Sequence, residues 1–273
     1  MKESITSWVA GSTALVRVFS IDIFIKDELW LSYLKKSLNL SIAILCLGGQ
    51  YAAAVLRFRV LKGLNYLHGR HVVHRDLKPE NILLSANDVI KICDFGLSRL
   101  KWQTDRPLDM STNVGTLWYQ APEMLMENSN YDAMIDIWSV GIIFTELVNT
   151  LPLVTQNSNA HQLSHLVKIL KWRTEDLVDV NNYLRESGYN QNVGNQLKSS
   201  SKSYAVTNTV AELRKVFPQF TLSMLDLVAS CLQLNPANRK NAEQLLHMKF
   251  FTEGRFSFHI DKLLEIRIKN DKM

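Results

Sequence analysis

Three short stretches carry residue types suited to chemistry on an anionic, hydroxyl-bearing substrate. The first is His74-Arg75-Asp76-Leu77-Lys78-Pro79-Glu80-Asn81, with a lysine two residues after an aspartate and an asparagine after four intervening residues. The second is Asp94-Phe95-Gly96, and the third is Ala121-Pro122-Glu123. Carboxylates accept protons and hold hard cations, an amide oxygen does the latter, and lysine neutralises anions. An isolated Asp-Phe-Gly means little. The three stretches in this order and at this spacing are not a chance arrangement.

Specific elements must position these residues. Val55 to His68 has apolar residues at helical spacing and predicts a helix leading into the first stretch. Asn81 to Leu84 and Val89 to Cys93 predict two short strands joined by the turn residues Ala86-Asn87-Asp88. That hairpin holds the residues flanking it close together. Leu97 to Pro122 lacks periodicity and reads as a long loop. Asp136 to Asn149 is apolar nearly all round and predicts a core helix. Asn181 to Tyr204, rich in Asn, Ser, Gln and Gly, reads as an irregular insert. Leu222 to Leu234 and Ala242 to Met248 predict amphipathic helices.

On these motifs the chain resembles the eukaryotic Ser/Thr protein kinases. The resemblance implies a kinase-like α+β fold, with a mainly helical C-terminal lobe and a truncated, strand-containing N-terminal lobe. It implies ATP and Mg²⁺ as cofactors and a protein substrate. Phosphoryl transfer needs positioning and charge neutralisation more than covalent chemistry. Asp76 then accepts or orients the substrate hydroxyl's proton, and Lys78 reaches the transferred phosphate. Asn81 and Asp94 hold Mg²⁺, with Lys78, Asn81 and Asp94 forming the cofactor set. Arg75 resembles the arginine that receives a phosphorylated activation loop, for which Ser111 or Thr112 is the expected phosphosite. Glu123 and Arg239 resemble a buried, loop-anchoring ion pair. Asp136 resembles a helix-start aspartate that bonds the catalytic-loop backbone.

Val114-Gly115-Thr116-Leu117-Trp118-Tyr119-Gln120-Ala121-Pro122-Glu123 resembles the CMGC group of cyclin-dependent, cyclin-dependent-kinase-like and MAP kinases, as does Asp136-Ile137-Trp138-Ser139-Val140-Gly141. Gln120 stands where that group usually has an arginine steadying the backbone before the threonine. Gly115 can adopt a positive φ unaided.

The resemblance is strong over 55–251. Residues 1–54 read as a partial N-lobe and hinge-like region, and 252–273 as a C-terminal tail. Val16 to Phe19 and Leu29 to Leu34 are the expected strands of the first region. No Gly-rich loop and no Val-Ala-Ile-Lys stretch precede His74. Hence two function classes: a Ser/Thr kinase that turns over weakly as this chain alone, or a kinase-like scaffold or interaction module, including a truncated gene product. A regulatory protein partner fits either class.

The remaining features exclude other classes. The chain has 273 residues, 47% hydrophobic and 21% charged, which is globular composition. A net charge of +5, scattered rather than striped, gives no footprint for nucleic acid. The three cysteines, Cys46, Cys93 and Cys231, make no disulfide framework and point to a reducing compartment, cytoplasmic and/or nuclear. Leu40 to Leu56 contains Ser41, Gly48, Gly49 and Gln50, so no membrane span is expected. His68, His71 and His74 recur every third residue but lack a partner cluster for a metal.

Overall fold

A computed structural model describes residues 16–18, 21–23, 38–39, 50–84, 90–100, 115–149, 151–172, 174–189 and 209–253. Backbone packing divides the chain into two compact units. One comprises Met1–Leu67, Pro79–Gly96 and Asn241–Met273; the other comprises His68–Lys78 and Leu97–Lys240.

The first unit contains two small antiparallel arrays. Strands β1 (Val16–Val18) and β2 (Ile21–Ile23) pair with Val16 opposite Ile23. Strands β3 (Leu38–Asn39), β5 (Ile82–Leu84) and β6 (Ile90–Ile92) form a sheet in the order β3-β5-β6. Ile82 faces Ile92 and Leu84 faces Ile90 across the hairpin. Ile82, Ile90 and Ile92 are fully buried, which is where branched side chains favour strand pairing. Helix α1 (Gln50–His68) buries Val60, Leu61, Leu64 and Leu67 at three- and four-residue spacing. Phe58 of α1 meets Phe251 edge-on at 5.6 Å. Near the C-terminal end of this unit, Asn241 and Gln244 cap helix α8 (Ala242–Leu246) reciprocally. Helix α9 (Lys249–Thr252) follows.

The second unit is mainly helical. A two-residue ladder joins β4 (Val72–Val73) to β7 (Arg99–Leu100). Helix α2 (Pro122–Leu125) leads to α3 (Met134–Asn149), whose Ile137, Trp138, Val140, Ile143 and Phe144 are inaccessible to solvent. Helix α4 (Asn159–Leu170) packs on α2, α5 (Val178–Glu186) and α6 (Thr209–Val216), and α7 (Leu222–Cys231) packs on α3 and α6. Ser158 and Thr221 cap α4 and α7 through their hydroxyls. Gly141 is where α3 approaches the end of α7: a Cβ there would lie 2.7 Å from Cys231 Cβ and 2.8 Å from Leu232 Cδ2.

Three local expectations change. The loop from Leu97 to Pro122 contains β7 and a 3-10 turn at Leu117–Tyr119. Pairing with Val72–Val73, which no local periodicity reveals, creates the first. Asn181 to Glu186 belongs to α5, because Val180 and Leu184, four apart, are buried and override the polar composition. A strand Ile21–Ile23 follows β1 directly. Leu29 to Leu34, Ser111, Thr112 and the tail beyond Glu253 lie outside the described residues.

Candidate active site

Within the second unit, Asp76, Lys78 and Thr116 form a closed polar triangle. Asp76 Oδ1 accepts the backbone N–H of Thr116 at 2.8 Å and its hydroxyl at 3.1 Å. Lys78 Nζ lies 3.1 Å from Asp76 Oδ2 and donates to Thr116 Oγ1 at 3.0 Å. The one hydroxyl can therefore donate to the carboxylate while accepting from the ammonium. Asp76 is buried and the Lys78 side chain is 24% exposed, so the ion pair has one wet end. The Asp76 N–H points to His74 Nδ1 at 3.3 Å, making that nitrogen an acceptor. Thr116 went unassigned in the sequence reading; its only signal was its place after a glycine in the Val114–Glu123 stretch.

The loop bearing Asp76 is anchored from below. Asp136, in the first turn of α3, accepts the backbone N–H groups of His74 on Oδ2 and Arg75 on Oδ1, both at 2.9 Å. Oδ2 also receives His68 Nε2 at 2.9 Å. Burial pushes the Asp136 carboxyl pKa up, but the His68 hydrogen bond, electrostatic attraction to the His68 and His74 side chains and the His74 backbone N–H outweigh it and hold it below the ordinary carboxylate value. Arg75 sits at φ 70°, a left-handed conformation that costs a non-glycine residue about 1–3 kcal/mol and persists because its surroundings hold it. The Arg75 guanidinium donates from Nε to the Leu97 carbonyl at 2.6 Å and from Nη1 to the Tyr131 hydroxyl at 2.8 Å. Its buried Nη2 has no partner among the described residues.

Gly115 has φ 86°, the freedom expected of it, and its backbone comes so close to Arg75 that a Cβ would lie 2.5 Å from the Arg75 carbonyl oxygen. Gln120 Nε2 reaches the Gly115 carbonyl at 3.4 Å, a long bond for the position where an arginine was the expectation. Glu123 and Arg239 form a two-pronged pair, 2.7 Å on each side, with the arginine side chain fully enclosed. Arg239 also donates to the carbonyls of Gln233, Met134 and Leu234 and lies 5.2 Å from the centroid of the Trp138 ring.

Asn81 and Asp94 belong to the first unit. They flank the two strands at the open end of the β5–β6 hairpin. There the Cys93 N–H closes on the Asn81 carbonyl at 2.9 Å. Asn81 is buried; Asp94 is exposed, at φ 61°, with Oδ1 accepting the Gly96 N–H at 3.4 Å. One carboxylate and one amide oxygen are hard donors that suit Mg²⁺, which takes one or two protein ligands and completes its shell with water and phosphate oxygens. Among the described residues no cluster of three or more His, Cys, Asp or Glu gathers for a metal. Nor is any described helix long and apolar enough to cross a membrane.

A family model described as the protein kinase domain matches residues 33–251. The chain is 37% identical over 189 residues to Mitogen-activated protein kinase 5 of Oryza sativa subsp. indica, covering 69% of this chain and 47% of that protein. It is 37% identical over 199 residues to Mitogen-activated protein kinase 3 of Arabidopsis thaliana, covering 72% and 49%. To the Serine/threonine kinase NLK of Caenorhabditis briggsae it is 34% identical over 205 residues, covering 75% and 29%. The chain thus spans about half the length, or less, of these curated relatives. Among solved structures, a chain of the yeast RNA Pol II CTD kinase CTDK-1 complex matches with a TM-score of 0.62 and 25% identity, covering 80% of this chain and 68% of that one.

Proposed function

The chain belongs to the protein kinase domain family and, with these relatives, to its CMGC group, and from that premise we propose that its protein transfers the γ-phosphate of ATP to Ser or Thr hydroxyls of protein substrates. The observation that carries this reading is the Asp76–Lys78–Thr116 triangle. It presents a carboxylate to a hydroxyl proton and an ammonium to developing phosphate charge, both held by one threonine side chain.

Asp76 orients the substrate hydroxyl and accepts its proton, a contribution of typically 10²–10⁴ in rate. Lys78 balances charge on the transferred group. Asn81 and Asp94 are the residues that would hold Mg²⁺, which when bound neutralises phosphate charge. Arg75, with one buried nitrogen that has no partner among the described residues, receives an anionic group on the segment containing Ser111 and Thr112. Glu123 and Arg239 keep the end of that segment seated. The relatives' kinds fit a cytoplasmic or nuclear protein, and the neighbour's solution as a complex fits regulation by a protein partner.

The test is phosphorylation of Ser- and Thr-containing peptides by the purified chain with Mg²⁺-ATP, beside the Asp76→Asn variant. Transfer that falls by about 10²–10⁴ in the variant supports the reading. Transfer of equal rate in both refutes it.

A further inference from the structure

Helix α4 carries two histidines one turn apart. His161 and His165 stand on the same helix face, where side chains at this spacing lie one above the other. His161 is exposed and His165 half-buried. We propose that the two imidazoles chelate a divalent d-block cation, Zn²⁺ or Cu²⁺, at the surface of the second unit.

The hydrogen bonds around the rings carry the inference. His165 Nδ1 lies 2.9 Å from the His161 carbonyl. A carbonyl only accepts, so the neutral ring carries its hydrogen on Nδ1 and leaves the Nε2 lone pair bare. His161 Nδ1 lies 2.7 Å from Ser158 Oγ, the N-cap of α4. That hydroxyl oxygen accepts the His161 backbone N–H at 3.4 Å and has a second lone pair for Nδ1–H. Tyr189 packs edge-on against the His161 ring at 4.9 Å, and its own hydroxyl is tied to Ser164 Oγ at 3.0 Å, so the ring is held at its side as well as at its tip.

Both histidines therefore engage Nδ1 with an oxygen, the outer contact that ligating imidazoles almost always make. Neither Nε2 has a partner among the described residues. Each Nδ1 bond also turns its ring back over the preceding turn, so the two rings lean the same way along the helix. Four residues is the spacing at which paired helical histidines share one Zn²⁺. Nitrogen donors select borderline cations over Mg²⁺, which prefers oxygen, and water completes the shell at an open surface. His161 adjoins Gln162, whose amide donates to the Trp118 carbonyl at 3.3 Å, so an ion here stiffens the helical turn that supports the segment after Thr116.

The site needs neither ATP nor phosphotransfer, and its test uses neither. The purified chain is titrated calorimetrically with Zn²⁺ in excess Mg²⁺, beside His161→Ala and His165→Ala. The expected result is saturable binding in the wild type that weakens at least about tenfold in each variant, since each loses one of two ligands. Thermal unfolding should shift upward with Zn²⁺ in the wild type and not in the variants. Equal Zn²⁺ affinity in wild type and both variants, as binding at a cysteine thiol would give, overturns the proposal, and so does displacement of Zn²⁺ by Mg²⁺. Should a variant not fold by circular dichroism, the electron paramagnetic resonance spectrum of the wild type with one equivalent of Cu²⁺ decides. Hyperfine splitting from two imidazole nitrogens that drops to one in His161→Gln, a change at the exposed position, supports the proposal. A spectrum identical in wild type and His161→Gln overturns it.

Discussion

Truncating Arg239 should destabilise the chain far more than truncating Glu123, although the two form a single ion pair. Arg239→Met removes both donors to a carboxylate that is 5% exposed and has no other partner among the described residues. It also strips a donor from the carbonyls of Gln233, Met134 and Leu234, and a cation from the face of Trp138. Stranding one member of a buried pair costs about 3–5 kcal/mol. Glu123→Met instead leaves Arg239 with three carbonyl acceptors and the indole face, so its cost should be nearer ~2 kcal/mol. The double change replaces a desolvated pair by apolar side chains and should cost less than Arg239→Met alone. Urea unfolding followed by circular dichroism measures all three. At ~2–4 °C per kcal/mol for chains of about this size, Arg239→Met should lower Tm by roughly 6–20 °C. Equal losses for the two single variants, or a double variant weaker than Arg239→Met, would refute this reasoning.

Thr116→Val keeps the volume and removes the hydroxyl shared by Asp76 and Lys78; kcat for peptide phosphorylation should fall about 10- to 100-fold, with circular dichroism unchanged. Thr116→Ser should retain most activity. The Asp136 carboxyl titrates lower in the folded chain than in the unfolded one, so it adds stability above the unfolded value of about 3.9 and loses that contribution as pH falls through the folded value. Urea midpoints should therefore drop on acidification below about pH 4, and less steeply in Asp136→Asn, whose stability at pH 7 is already reduced. Gly141→Ala forces a methyl to within 2.7 Å of Cys231 and should cost about 1–3 kcal/mol by thermal unfolding, whereas Gly188→Ala, where nothing lies within 4 Å, meets only the strain of its φ 73°.

Much of this was legible from residue order. The apolar spacing Val60, Leu61, Leu64 and Leu67 announces α1, and the mostly apolar stretch from Ile135 to Leu147 announces the core helix α3. The hairpin is readable because Ala86-Asn87-Asp88 interrupts two short apolar runs. What escaped depends on contacts distant in sequence. Strand β7 exists only through its pairing with β4, and Tyr131 matters because Arg75 reaches it across 56 residues. Thr116 and His68 look like any hydroxyl or helix-end histidine until Asp76 and Asp136 are seen against them. The polar composition around Asn181 concealed a helix because two buried residues suffice to seat one turn against a core.

The β5–β6 hairpin places Asn81 and Asp94 beside its open end, at the far end from the connection between Leu84 and Ile90. In a hairpin the length of the connection helps to set the ladder register, and burial of Ile82, Ile90 and Ile92 suits only one register. A one-residue slip caused by an insertion or deletion between Leu84 and Ile90 would turn those isoleucines outward and shift Asn81 relative to Asp94. A change in the length of this connection therefore acts on the spacing of the two proposed cation ligands from the opposite end of the hairpin.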